Sequence, residues 1–157
     1  MQTLWLICDV SGSMIENGKR LIVRSLARQV EQYFRLGYAL KPTLKLVLWN
    51  DEAKGLDWSP NDELPSALFE CKGSADAQKL ISLIGETPLD RILIITDGFW
   101  PDTSSEALRN WKDRLPPNAL RIIKVGADAN PRLRGVDVFS AEDFFTAMDS
   151  WPEEHTA

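Results

Sequence analysis

The sequence predicts an α/β fold, a three-layer αβα sandwich with a mostly parallel central sheet. Two observations carry that prediction. The runs Thr3–Cys8 (TLWLIC) and Arg91–Thr96 (RILIIT) are apolar without alternation, and an aspartate follows each. Unbroken apolar runs of this length suit strands covered on both faces. Segments with helical spacing then fall between the strand candidates along the whole chain. Such alternation implies parallel strands joined by right-handed crossovers, with helices on both faces of the sheet.

Each element has its own signal. Thr3–Cys8 is the first strand. Lys19–Arg35 has helical spacing, with Ile22, Leu26, Val30, Tyr33 and Phe34 near one side and Gly37 as a stop. Arg20, Arg24 and Arg28 lie on another side and read as a solvated face. Thr43–Asn50 is the second strand, with leucines at alternate positions. The triplet 50–52 is a turn, Lys54–Trp58 a short edge strand, and 59–62 a loop or helix start. Leu64–Cys71 fits helix and strand equally well. Ala75–Ile84 is helical, with Ala77, Leu80, Ile81 and Ile84 together. Thr103–Arg114 begins with the capping-box spacing Thr103 to Glu106 and carries Ala107, Leu108 and Trp111. Leu120–Val125 and Val136–Phe139 are the last strands. Ser140–Met148 is a helix capped by Ser140, with Phe144, Phe145 and Met148 as its packing face.

The totals set bounds. A chain of 157 residues suits one domain, placed at residues 1–150, followed by a loose polar tail at 151–157. Hydrophobic residues make up 44%, enough for a core. A net charge of −5 argues against a general nucleic-acid binder. Cys8 lies in an apolar run and reads as a small buried hydrophobe; nothing demands that it bridge to Cys71. No secretory signal is visible in the sequence, and no run approaches the roughly 20 apolar residues of a membrane helix. The expectation is a cytoplasmic protein with no membrane and no nucleic-acid partner. His155 stands in the tail, so histidine catalysis is not expected.

The informative stretch is Asp9-Val10-Ser11-Gly12-Ser13. In parallel sheets of this kind ligands sit at the carboxyl ends of the strands, where strand order reverses. Asp9 and Asp97 end the two most apolar strands, so neighbouring strands would set both carboxylates at one edge. Close carboxylates repel unless a positive group joins them or one is protonated. Around Asp9 the sequence offers hydroxyls, from Ser11 and Ser13, rather than lysine or arginine. That inventory suits a hard divalent cation, which prefers oxygen ligands and keeps several waters. Ser74, before the Ala75–Ile84 helix, reads either as the cap of that helix or as one more hydroxyl for the ion.

These residues carry a resemblance. DVSGS after the first strand and ITDG at the end of a later one resemble the von Willebrand factor A domain family. LKLVLWNDEA resembles that family's second strand and following turn, KGSADAQKLISLI its loop and helix with the third metal-site segment, and LRIIKVGA its fifth strand. The likeness runs from about Met1 to Met148. It implies a Rossmann-like sandwich with one antiparallel edge strand. It implies a metal-ion-dependent adhesion site in which Asp9, Ser11, Ser13 and Asp97 hold Mg2+ or Mn2+, directly or through water. Ser74 stands where the family usually has threonine. The resemblance further implies a non-enzymatic adaptor of bacterial type. Its partner would be another protein, such as an ATPase, kinase or phosphatase, that offers a Glu or Asp side chain to the metal. It also implies that the last helix shifts with metal coordination. Phe99-Trp100-Pro101 reads either as an aromatic anchor for that partner or as loop packing.

One alternative is a metal-free scaffold that keeps the fold only; the other is a magnesium-dependent phosphatase or phosphotransferase of haloacid dehalogenase type. Such enzymes also begin with a strand ending in aspartate, but need a second aspartate two positions on. Here that position is Ser11.

Overall fold

A computed structural model describes residues 3–37, 42–59, 62–86 and 88–151. The strands are β1 (Thr3–Asp9), β2 (Thr43–Trp49), β3 (Ala53–Leu56), β4 (Arg91–Thr96), β5 (Leu120–Lys124) and β6 (Val138–Ser140). The helices are α1 (Lys19–Arg35), α2 (Ala77–Ile84), α3 (Asp102–Arg114) and α4 (Phe144–Asp149). The sheet runs β3-β2-β1-β4-β5-β6. All neighbours are parallel except β2 and β3, which pair antiparallel at one edge. The fold is therefore the mostly parallel αβα sandwich with one antiparallel edge strand that the sequence predicts.

The pleat divides the core. Leu4, Leu6 and Cys8 of β1 face one side, against Val23, Leu26 and Val30 of α1 and Phe144 and Met148 of α4. Ile7 faces the other, with Ala77, Leu80 and Ile81 of α2 and Leu108 and Trp111 of α3. Strands lined on both faces need no polar side, which is why β1 and β4 read as unbroken apolar runs.

Several local expectations are corrected. Helix α2 starts two residues late, and its cap is Asp76, whose side chain accepts from the Gln78 amide at 2.9 Å. Ser74 is thus not the cap; a carboxylate nearer the first turn took that position. No capping box forms at α3. Thr103 lies inside the helix, and the capping position is held by Pro101 without a side-chain bond. The Leu64–Cys71 segment is neither helix nor strand along its length but holds one 3-10 turn, Ser66–Phe69. The last strand starts two residues later and ends one residue later than its apolar letters suggest, and Val136 is almost wholly exposed. The final helix breaks into a 3-10 turn, Ala141–Asp143, and α4. Ser140 bonds Asp143 Oδ2 instead of capping, and Phe145 points outward while Phe144 and Met148 are buried.

Trp151, assigned to the tail by sequence, is buried. Its Nε1 donates to Asn118 O, and Arg91 and Arg121 stack on its ring. Buried Arg121 also donates to Ala147 O at 2.6 Å and to Ser150 O at 3.2 Å, satisfying carbonyls that the end of α4 leaves open. The remaining tail, with His155, lies outside the described residues, as do 60 and 61 of the 59–62 loop. Cys8 and Cys71 are both free thiols. Burial, helped by the Asp9 charge, pushes the Cys8 thiol up to about 12, so it behaves as the small hydrophobe its context suggests.

Candidate metal centre

Strand order reverses between β1 and β4, and the sequence-predicted residues gather at that switch point. Cys8 is level with Ile95, so Asp9 ends β1 beside Thr96, and Asp97 is the first residue past β4. Both carboxylates are buried, at 1% and 0% exposure. They share an environment, since the Asp97 charge contributes to the upward shift of Asp9.

The chain turns sharply after β1. Asp9 Oδ1 accepts from the Ser11 amide at 2.8 Å, and a 3-10 turn, Gly12–Ile15, follows. A second loop closes on this one: the Lys72 amide donates to Val10 O at 2.8 Å and the Gly12 amide to Gly73 O at 2.8 Å. Ser74 therefore stands beside the Ser11–Ser13 turn. Its own amide is held by Asp51 Oδ1 at 2.8 Å, and the residue is exposed. All five sequence-predicted residues come from three loops that meet at one edge of the sheet.

Gly73 lets the Asp51 carboxylate come close to this loop. It has φ +75°, and a Cβ there would come within 2.5 Å of the Asp51 carboxylate. Gly73→Ala is expected to lower stability by about 1–2 kcal/mol, read by urea denaturation, because alanine disfavours that backbone and Asp51 must move.

The two carboxylates differ in their partners. Asp9 has neutral donors alone: the Ser11 amide and the Thr96 hydroxyl, at 2.6 Å from Oδ2. Burial pushes the Asp9 carboxyl above the usual range, while Ser11 and Thr96 pull it partway back. Asp97 has a cation. Lys19, the first residue of α1, lies 3.0 Å from Asp97 Oδ2 and 3.1 Å from Asp128 Oδ2, and is itself 1% exposed. Burial works to lower the Lys19 pKa, but the two carboxylates outweigh it and the net shift is upward. Its hydrogen bond holds Asp128 below the usual carboxylate range.

Lys19 corrects the sequence reading, which saw no lysine or arginine at this edge. Its long stem carries the ammonium from a position ten residues after Asp9 in the chain to a carboxylate 78 residues away. A signal for it existed: Lys19, Val23, Leu26 and Val30 form one helical stripe, and a charge on an apolar stripe must find a buried partner. Thr96 was also missed. Its hydroxyl donates to Asp9 and accepts from the Gly98 amide and Trp100 Nε1, both at 3.0 Å.

The residues fit a divalent cation on two counts. The Oγ atoms of Ser11 and Ser13 are buried, and among the described residues neither has a hydrogen-bond partner. Ser11 lies near enough to Asp9 to favour its charged form, yet its hydroxyl closes no hydrogen bond. Buried hydroxyls are rarely left so. Asp9, in addition, is a buried carboxylate with no cation of its own among the described residues. Among the described residues no three His, Cys, Asp or Glu side chains cluster as metal ligands, so hydroxyls and waters would complete the shell.

Of the rim aromatics, Trp100 packs the loop, bonding Thr96 and lying 5.7 Å from the Trp49 ring. Phe99 is 44% exposed, and Lys19 Nζ lies 5.5 Å from its centroid. On α1, Arg28 is tied down by the Trp58 ring, Asp62 O and Glu31. Among the described residues no helix is long and apolar enough to cross a membrane.

No protein-family model matches the chain, and no curated protein sequence does. Solved structures match it by shape. A von Willebrand factor type A protein from Catenulispora acidiphila superposes with a TM-score of 0.61 at 16% identity, over 94% of this chain and 42% of that one. The proximal thread matrix protein 1 of the mussel byssus, described with a zinc-occupied MIDAS motif, gives 0.57 at 16% identity, over 95% of this chain and 45% of that one. The ArnB paralog VWA2 from Sulfolobus acidocaldarius gives 0.54 at 18% identity, over 80% and 34%. The chain thus spans less than half the length of each of these three. Strand order, the antiparallel edge and these likenesses agree: the fold of this chain is that of a von Willebrand factor A domain.

Proposed function

We propose that the chain is a binding module that holds a divalent cation, Mg2+ or Mn2+, and through it captures an acidic side chain of another protein. The observation that carries this reading is the pair of buried, unpartnered hydroxyls of Ser11 and Ser13 beside the uncompensated carboxylate of Asp9. Asp9, Ser11, Ser13 and Asp97 would hold the ion, with Ser74 supplying a further hydroxyl from the facing loop. The mussel protein's metal-occupied motif on the same fold supports the general chemistry.

Two carboxylates only balance a doubly charged ion, and hydroxyls add no negative charge. An ion so held stays electrophilic and favours an incoming Glu or Asp. Lys19 adds one more positive charge next to Asp97. The protein's own residues position the site: Thr96 and the Ser11 amide orient Asp9, while Lys19 and the Phe99 amide, 3.1 Å from Oδ1, orient Asp97. We place the protein in the cytoplasm as an adaptor of bacterial type, beside an ATPase, kinase or phosphatase. The enzyme alternative has less support, because a serine hydroxyl stands where an acid–base carboxylate is needed.

Isothermal titration calorimetry tests the reading. Magnesium should give a binding heat with wild type and bind Ser11→Ala/Ser13→Ala at least about tenfold more weakly, as expected when liganding groups are removed. Equal heats would reject the metal site. The variant removes hydroxyls that have no hydrogen-bond partner among the described residues, so its stability should stay near that of wild type. An affinity purification should retain a protein with magnesium and release it with EDTA, and Asp9→Asn should retain none. Hydrolysis of an aryl phosphate, lost in Asp9→Asn, would favour the phosphatase instead.

A further inference from the structure

A cleft of about 440 Å³ opens at the rim and runs between α3 and the β5–β6 edge. Its rim end is formed by Gly98, next to Asp97, and by Asn130, whose amide donates to Asp97 O at 2.9 Å and whose side chain donates to Gly98 O at 3.0 Å. Its walls are cationic. Arg109, Arg132 and Arg134 line it, are exposed, and among the described residues have no side-chain hydrogen bond or ion pair. Lys112 also lines it but is already paired with Asp137. Asp102 is the one carboxylate in the lining. Three uncommitted guanidinium groups around one cleft stand out on a chain of net charge −5.

The loop that carries two of them is fixed at its base. Lys124 Nζ donates to Asn130 O at 2.9 Å and to Leu133 O at 2.8 Å, and the Leu133 amide donates to Asn130 O at 3.1 Å. Arg132 and Arg134 therefore project from an ordered support, which reduces the entropy lost when they bind. Half-buried Trp100 and Leu133 give the cleft an apolar floor against which a side-chain stem can lie.

We infer that this cleft receives an extended acidic peptide segment, continuous with the partner residue whose carboxylate meets the cation. Resting on the metal-dependent reading above, it names where the rest of the partner chain goes. Arginine forks match carboxylates with paired hydrogen bonds, so a run of Glu or Asp complements the three guanidinium groups. A peptide fits better than a nucleic acid because the chain carries a net charge of −5 and would repel a long polyanion.

Fluorescence anisotropy with labelled hexaglutamate in low-salt buffer containing magnesium tests the inference. Wild type should bind, and added sodium chloride should weaken binding because exposed charges are screened. Arg132→Glu/Arg134→Glu should bind at least about tenfold more weakly, since each reversal replaces attraction by repulsion. The same variant should keep its magnesium heat and its melting temperature, because neither arginine touches the metal residues or the core. Hexaglutamate binding equal to wild type in the double variant would overturn the cleft while leaving the metal site intact. Absence of any magnesium heat in wild type would instead remove the reading beneath it. Peptide binding that depends on the arginines but not on magnesium would overturn the continuity between cleft and cation. Tighter binding of an oligothymidylate of equal charge would overturn the peptide in favour of a nucleic acid.

Discussion

Trp49→Ala should lower stability by about 4 kcal/mol, near the upper range for removing a large buried side chain. The ring is fully buried where β2 ends, with Asp9 as its register partner, and the Val10 amide donates to its carbonyl at 2.8 Å. Its Nε1 donates to Asp76 O at 2.8 Å, and its face meets Trp100. The one side chain thus ties the end of β2 to the cap of α2 and to the loop after β4. Losing it leaves a cavity and frees the segment that presents Ser74, so magnesium affinity should fall with stability. Trp49→Phe keeps one aromatic ring but drops the hydrogen bond and leaves a smaller gap, which should cost about 2 kcal/mol, less than alanine. Urea denaturation of both variants is the measurement; a loss under about 1 kcal/mol for alanine would show that the site relaxes around the gap.

The Lys19–Asp97 pair should give the second large effect. Removing one partner of a buried ion pair strands the other's charge, and about 3 kcal/mol is expected for Lys19→Met or for Asp97→Asn in EDTA. Lys19→Met leaves Asp97 and Asp9 as two buried carboxylates with no cation. Asp97→Asn leaves the ammonium with exposed Asp128 as its remaining carboxylate and the Ser13 carbonyl at 3.4 Å. The double variant removes both charges, so its loss should fall short of the sum of the singles by about 2 kcal/mol. Magnesium should then stabilise Lys19→Met more than wild type, because an ion that binds the folded state stabilises it and no ammonium competes for Asp97. Additive single losses would mean that the pair is not coupled.

Alkaline pH should weaken the same contact. The folded-state pKa of Lys19 is raised, so its contribution is complete below the unfolded lysine value near 10.4 and is lost as pH rises through the higher folded value. A wild-type melting temperature that falls more steeply than that of Lys19→Met above about pH 10.4 is the expected result.

The sheet and its switch point were legible because doubly covered strands need continuous apolar letters, and β1 and β4 have them. Helix α1 was legible over its full length, since seventeen residues give several turns of periodicity. The caps were not. Ser74, Asp76, Pro101 and Thr103 all stand near helix starts, and local letters do not decide which carbonyl or amide each one meets. That the loops carrying Asp9, Ser11, Ser13 and Asp97 meet at one edge was legible through strand ends and alternation, and Ser74 was found from its place before a helix. Their polar supports were not, because Lys19 with Asp97 and Thr96 with Asp9 pair across 78 and 87 residues. The arginines of the cleft escaped for a related reason. Arg109 belongs to α3 and Arg132 and Arg134 to a loop, and the packing of that loop against the helix brings them together.

The outermost strands have a consequence of their own. β3 has four residues, one of them Lys54, and β6 has three. A ragged, short border offers few free amides and carbonyls in a row, so a stray chain finds little to zip onto. Sideways self-association into ribbons is thereby discouraged, and contact with other proteins is left to side-chain chemistry.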